Sequence, residues 1–259
     1  MIRSGLVSIT FRQLSPAEIV ARAAQAGLEA IEWGGDVHVP HGDVDAARTV
    51  RRTTEEAGLQ VAAYGAYYRV GHEEPCPFAD VLESAVALGA PLIRVWAGKQ
   101  GSDTADDAYR ARVVEDSKQI AELAAEAGLD VAYEFHGGTL TDTGASARQL
   151  LEAVDHPQMG TYWQPPNWAT TEQALETLEA ILPWLRNIHV FSWRRAQLGQ
   201  KITRLPLAEG EAAWMRYLPV IASTGRDGYA EIEFVHDDAP ASLREDAATL
   251  VQWLSRVNG

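Results

Sequence analysis

Hydrophobic positions along this chain change their period in a regular order. An alanine-rich segment with its apolar residues on one helical face ends in glycine, and a short apolar run follows at once. Residues 21–33 (ARAAQAGLEAIEW) show the unit first, and residues 51–65, 83–98 and 121–136 repeat it. Gly27, Gly58, Gly89 and Gly128 stand where a helix ends in a left-handed residue, a conformation glycine takes without a Cβ penalty. The apolar runs behind them are of strand length and largely unbroken, as expected of parallel strands covered on both faces. Ser15-Pro16-Ala17-Glu18 reads as a helix start: a capping serine, a proline at the first helical position and a glutamate three residues after the cap.

The same pattern predicts eight strands, near residues 5–10, 28–34, 59–65, 91–97, 129–136, 158–164, 187–193 and 229–235, with helices between them and a last helix over 241–257. Eight strands alternating with eight helices in about 250 residues is the arithmetic of a (β/α)8 TIM barrel. An open doubly wound sheet is the competing arrangement. It would normally carry a glycine-rich phosphate loop after its first strand, where this chain reads Thr10-Phe11-Arg12-Gln13-Leu14. No proline-rich linker divides the sequence, so residues 1–259 are expected to form one barrel domain.

Composition narrows the classes of function. The 259 residues are 46% hydrophobic, ordinary for a globular protein. No apolar run reaches the roughly 18 residues a membrane helix needs, and MIRSGLVSIT reads as a strand rather than a signal peptide. One cysteine, Cys76, allows no internal disulfide and suits a reducing compartment, so the expected location is cytoplasmic. A net charge of −14 argues against a nucleic-acid partner.

Candidate chemistry collects where the strands end. Val131-Ala132-Tyr133-Glu134-Phe135-His136-Gly137-Gly138 begins as a buried strand yet carries a carboxylate and an imidazole two positions apart, hence on one face. A lone buried carboxylate costs several kcal/mol or is neutralised by a shift of its pKa, so Glu134 needs a partner, a metal or water. Active sites of TIM barrels form at the C-terminal ends of the strands. Other strands there offer Glu32, Arg94, Gln164, Asn167, His189, Glu231 and Glu233. Two carboxylates, an imidazole and an amide oxygen from separate strands make a site fit for a divalent cation. Glu32 and Arg94 are more simply read as a buried ion pair, and tryptophans at strand ends more often pack than stack on a ligand.

The order of these pieces resembles the sugar phosphate isomerase/epimerase family of xylose isomerase-like TIM barrels, within the AP endonuclease family 2 superfamily. The resemblance rests on Tyr133-Glu134-Phe135-His136-Gly137-Gly138, Asn187-Ile188-His189-Val190, Leu205-Pro206-Leu207-Ala208-Glu209-Gly210-Glu211 and Gly228-Tyr229-Ala230-Glu231-Ile232-Glu233, and it spans nearly the whole chain. The family usually holds a metal with a Glu, an Asp, a His and a Glu from strands 5 to 8. The resemblance therefore implies Glu134, Gln164, His189 and Glu233 as ligands of Mn²⁺, Mg²⁺, Co²⁺ or Zn²⁺. Gln164 departs from the family's Asp: it offers an oxygen without charge, which weakens the site or abolishes metal binding.

By the same resemblance Glu134 and Glu233 are the acid–base pair of an isomerase or epimerase acting on a small sugar, ketose or polyol-derived ketone through an enediolate. Expulsion of a β-hydroxyl from the same intermediate would make the protein a dehydratase. A non-catalytic sugar-binding barrel with a degenerate site is the alternative that Gln164 feeds. Expected substrate contacts are His38, Trp96, Lys99, His136, Asn167 and Arg195. Relatives often assemble, which implies a homodimer or homotetramer. Endonuclease-like action on DNA is disfavoured by the acidic charge.

Overall fold

In the computed structural model, residues 1–194 and 202–259 are described. Eight parallel strands close into a barrel: β1 (Ile2–Val7), β2 (Ala30–Gly34), β3 (Gln60–Arg69), β4 (Leu92–Trp96), β5 (Asp130–Tyr133), β6 (Met159–Trp163), β7 (Leu185–Val190) and β8 (Gly228–Ile232). Each strand pairs with its neighbours in sequence, and β8 closes the ring on β1, with Leu6 opposite Ile232. The helices are α1 (Pro16–Gln25), α2 (Val44–Glu56), α3 (Phe78–Leu88), α4 (Asp107–Glu126), α5 (Gly144–Val154), α6 (Thr171–Ile181), α7 (Glu211–Ala222) and α8 (Leu243–Val257). A two-stranded ribbon, Trp193–Arg194 against Thr203–Arg204, stands above β7. The expected fold class is the one observed. Among the described residues no helix is long and apolar enough to cross a membrane.

Local chemistry fixes these elements. Ser15 caps α1 in a reciprocal box with Glu18, which satisfies donors that a helix start leaves open. The four glycines expected behind the helices all have positive φ, between 72° and 78°, the left-handed turn that feeds each chain directly into the next strand. Strand limits differ from those the pattern predicts. β1 ends at Val7 because Ser8–Phe11 turns into a short 3-10 helix. β5 stops at Tyr133, so Glu134 stands just past the ladder, its N–H still bonded to Val95 O at 2.8 Å.

The apolar core lies between strands and helices, where Ile19, Ile31, Val131, Leu178, Val190 and Leu250 are all buried. Inside the barrel the filling is different. A small apolar patch of Ala63, Leu92, Ala132 and Tyr162 gives way to a buried polar group made of Glu32, Arg94, Glu134, His189, Glu231 and Glu233. Gly65 makes room for it: a Cβ there would come within 2.7 Å of the Arg94 guanidinium and 2.8 Å of the Glu32 carboxylate. Buried charge on this scale persists only when paired or bound to an ion.

Candidate active site

Arg94 organises the floor of the site. Its Nε donates to Glu32 Oε1 at 2.8 Å, and its Nη1 donates to Glu134 Oε2. Trp96 Nε1 donates to the same Glu134 oxygen at 2.7 Å. Burial alone would raise the pKa of Glu32, but Arg94 and His189 outweigh it and bring the value down to about 2. The expected ion pair between Glu32 and Arg94 is present, and it extends into the site through Glu134.

His189 occupies the centre. Its Nδ1 lies 3.2 Å from Gln164 Oε1 and 3.6 Å from Glu233 Oε2, while its Nε2 lies 3.5 Å from Glu32 Oε2. Burial opposes a charge on the ring, and Glu233 with Glu32 more than offsets that, so its pKa is raised. Glu233 is buried and near Glu134, which keeps its pKa above the usual carboxylate range despite His189. Glu231, one layer deeper, has no hydrogen-bond partner for either carboxylate oxygen among the described residues. Burial and Glu32 push its pKa well up, as for a neutral acid.

This donor set fits a divalent cation. Glu134, His189 and Glu233 each present a ligand atom within 4.8 Å of the others, and Gln164 Oε1 faces the same imidazole nitrogen. Arg94 and Trp96 both take Glu134 Oε2, which leaves Oε1 for an ion. The Glu32 carboxylate behind Nε2 is the outer partner that metal-ligating histidines commonly have, fixing the tautomer and ring orientation.

Above these groups opens a cavity of about 410 Å³. Glu134, Gln164, Glu233, His136, Asn167 and Trp96 line it, with His136 stacked on Trp96 at 4.5 Å between ring centroids. Two of the expected substrate contacts lie elsewhere. His38 is buried with its Nδ1 3.0 Å from Ser8 Oγ, and Lys99 pairs with Glu74 at 3.0 Å. Arg195 falls outside the described residues. Among the tryptophans, Trp96, Trp168 and Trp193 line the cavity, whereas Trp163 packs outward against Trp214 and Tyr217.

Arg12, Tyr67 and Phe234 also line the cavity, and sequence reasoning misses all three. Arg12 follows directly on the stretch that reads as the tail of strand 1. Tyr67 and Phe234 turn inward through left-handed backbone, with φ of 56° and 62°. No residue type announces that conformation in a large aromatic side chain.

A family model described as "xylose isomerase-like TIM barrel" matches residues 20–257. The chain belongs to that family. The chain is also 25% identical over 276 aligned positions to a 3-dehydroshikimate dehydratase of Bacillus anthracis, covering 96% of each. Two solved structures share its architecture at lower identity. A xylose isomerase-like TIM barrel protein of Mycobacterium smegmatis in complex with magnesium superposes with a TM-score of 0.78 at 15% identity, covering 100% of this chain and 98% of the other. D-psicose 3-epimerase of Clostridium cellulolyticum H10 superposes with a TM-score of 0.72 at 14% identity, covering 99% of each chain. The sequence relative is named as an enzyme, a dehydratase, and the two solved structures show the shared fold.

Proposed function

We propose that the protein is a metal-dependent enzyme that removes a proton next to the carbonyl of a small polyhydroxylated ketone and then expels a β-hydroxyl, a dehydratase. The observation that carries this reading is the inequality of its two carboxylates. Glu134 Oε2 is held by Arg94 and Trp96, whereas Glu233, beside Glu134 and with His189 at 3.6 Å, has no such pair of donors among the described residues, and its pKa is raised. Epimerisation needs two comparable bases on opposite faces of one carbon; elimination needs a single base and an acid for the departing oxygen.

In this reading Glu134, Gln164, His189 and Glu233 hold the ion, which when bound supplies Lewis-acid polarisation of the substrate carbonyl. Glu233 uses its free oxygen to take the α-proton. The C–H electron pair becomes the new carbon–carbon double bond as the β-carbon–oxygen bond breaks. The leaving oxygen departs as water, its proton supplied by the protonated Glu233 or by His136 at the cavity wall. Arg94 holds Glu134 in place, and the aromatic walls of the cavity shield the developing enolate from solvent. The dehydratase relative of comparable length supports this outcome.

The epimerase reading keeps the same first step and returns the proton from Glu134 to the other face. The superposition on D-psicose 3-epimerase favours it at the level of fold. Incubation of a panel of cyclic and open-chain polyhydroxylated ketones with protein and Mn²⁺ in D₂O, followed by NMR, separates the two. A dehydratase yields an unsaturated ketone with loss of one water. An epimerase yields the inverted sugar with deuterium at the reacting carbon. Turnover with neither signature would overturn proton abstraction altogether.

A further inference from the structure

We infer that the barrel interior holds a second seat for a divalent cation, one layer below the first, made of Glu32, Glu231 and the far nitrogen of His189. The seat lies beyond the proposed reaction and does not depend on it.

Glu231 is the unusual member. It is fully buried on β8, where the ladder sets it beside His189 of β7 and Gly5 of β1. Neither of its carboxylate oxygens has a hydrogen-bond partner among the described residues. A buried carboxylate without a partner costs several kcal/mol. Protonation would remove the charge but leave an O–H with no acceptor in reach. The backbone gives this side chain room. Gly5 is not among the glycines with positive φ, so its conformation does not call for glycine. A Cβ there would come within 2.9 Å of Glu231 Cγ.

The ligand atoms already converge. One oxygen each from Glu32 and Glu231 and one nitrogen of His189 lie within 4.8 Å of one another. Arg94 takes Glu32 Oε1, and Glu32 Oε2 stands 3.5 Å from His189 Nε2. That is long for a charge-assisted hydrogen bond, which closes to about 2.7–2.9 Å. It matches the separation of two ligands on a tetrahedral ion with arms of about 2.1 Å, roughly 3.4 Å. Two carboxylate oxygens and an imidazole nitrogen suit Mn²⁺ or Zn²⁺.

Charge balance favours the same seat. Glu32, Glu134, Glu231 and Glu233 share the interior with one guanidinium, Arg94, which leaves three negative charges. A divalent ion in the upper seat, with His189 neutral as its ligand, cancels two of them. A second divalent ion displaces the Nε2 proton to solvent and leaves the ring as an imidazolate bridging the two ions. The whole group is then neutral, as a buried ionic cluster requires.

Metal counting tests the seat without turnover. The protein is stripped with chelator, equilibrated with Mn²⁺, desalted, and examined for metal per chain and by EPR. Wild type should carry two Mn²⁺ per chain, with the exchange-coupled signal of two ions on one imidazole. Glu231→Val removes the ligand and fills its space; it should carry one Mn²⁺ with the hyperfine pattern of an isolated ion. Glu231→Gln keeps the shape and one oxygen, and should bind the second ion at least about tenfold more weakly than wild type. Should Glu231→Val not fold, the coupled signal of wild type and its weakening in Glu231→Gln decide. One Mn²⁺ per chain in wild type would overturn the seat and leave a water at Glu231. Two uncoupled ions, or a second ion that survives Glu231→Val in a folded variant, would overturn it too, as binding to the acidic surface. Two coupled ions without any deuterium exchange support the seat and leave the proposed chemistry unsupported; exchange with a single ion does the reverse.

Discussion

Arg94 donates directly to Glu134, which ties a buried structural ion pair to the candidate metal site. The guanidinium serves two carboxylates at once, Glu32 and Glu134, and all three side chains are at most 5% exposed. Removing one member of a buried ionic group leaves its partners uncompensated, which typically costs about 3–5 kcal/mol. Arg94→Leu should therefore lower the unfolding free energy by roughly that amount, readable as a shift of the urea midpoint. A loss below about 1 kcal/mol would show that water or protonation replaces the guanidinium at little cost.

Gln164 sets the charge of the site. Its Oε1 faces His189 Nδ1 at 3.2 Å, in the place where the family resemblance expects an aspartate. An aspartate there would add a negative charge to Glu134 and Glu233 without changing the elements that hold the site. Gln164→Asp should tighten Mn²⁺ binding by about tenfold or more, an increment of one favourable charge contact. Calorimetric titration with Mn²⁺ checks it, and an unchanged affinity would remove Gln164 from the ligand set.

Asp246 offers a pH test outside the candidate ligand set and the cavity lining. It is buried on α8, and its Oδ1 accepts from Leu207 N–H at 2.8 Å. Burial raises its pKa from 3.8 to about 6, although the Leu207 bond pulls the other way. The folded state therefore binds the proton more tightly than the unfolded chain. Stability should fall as pH rises from about 4 to 6, then level off. Asp246→Asn keeps an acceptor for Leu207 and removes the titration. It should stabilise the protein at pH 7 by on the order of 1–3 kcal/mol, since one pKa unit is about 1.4 kcal/mol, and should change little below pH 4. Urea unfolding at both pH values decides it; an equal effect at both would mean that packing, not protonation, governs the site.

Much of the fold and site is legible in sequence because it depends on period and residue type. Helix-ending glycines and unbroken apolar runs locate all eight strands, and the two-residue spacing puts Glu231 and Glu233 on one face of β8. What escapes is set by backbone turns that no residue type announces. By pattern alone strand 1 extends to residue 10, which hides the 3-10 turn of Ser8–Phe11 and the Arg12 that follows it. Tyr67 and Phe234 enter the cavity through positive φ, which their side-chain types disfavour. Lys99 suits an anionic ligand by type and strand-end position, yet it turns to Glu74. The double duty of Arg94 is hidden for another reason. Sequence spacing shows that β4 and β5 are neighbours, but not that one guanidinium is long enough to reach carboxylates from both β2 and the end of β5.

The inequality of Glu134 and Glu233 leads to a prediction that separates their roles. Both lie within reach of His189 and line one cavity. Glu134 has one oxygen fixed by Arg94 and Trp96, so Glu134→Gln keeps an acceptor for these donors but removes the negative charge they and the ion share. Its main effect should be weaker Mn²⁺ binding, with deuterium exchange restored in part by excess metal. Glu233 has no such anchors among the described residues, and burial keeps its pKa raised, closer to that of a working base. Glu233→Gln should cut exchange and turnover about 10²–10⁴-fold, the usual loss for a general base, and no excess of Mn²⁺ should restore them. The pair is measured by NMR in D₂O across a metal titration, with each variant's Mn²⁺ affinity determined separately. If saturating metal rescues Glu233→Gln and leaves Glu134→Gln inactive, the base is Glu134 and elimination by a single base at Glu233 loses its support. If both variants lose exchange equally at saturating metal, two bases act on one carbon, and the epimerase reading replaces the dehydratase.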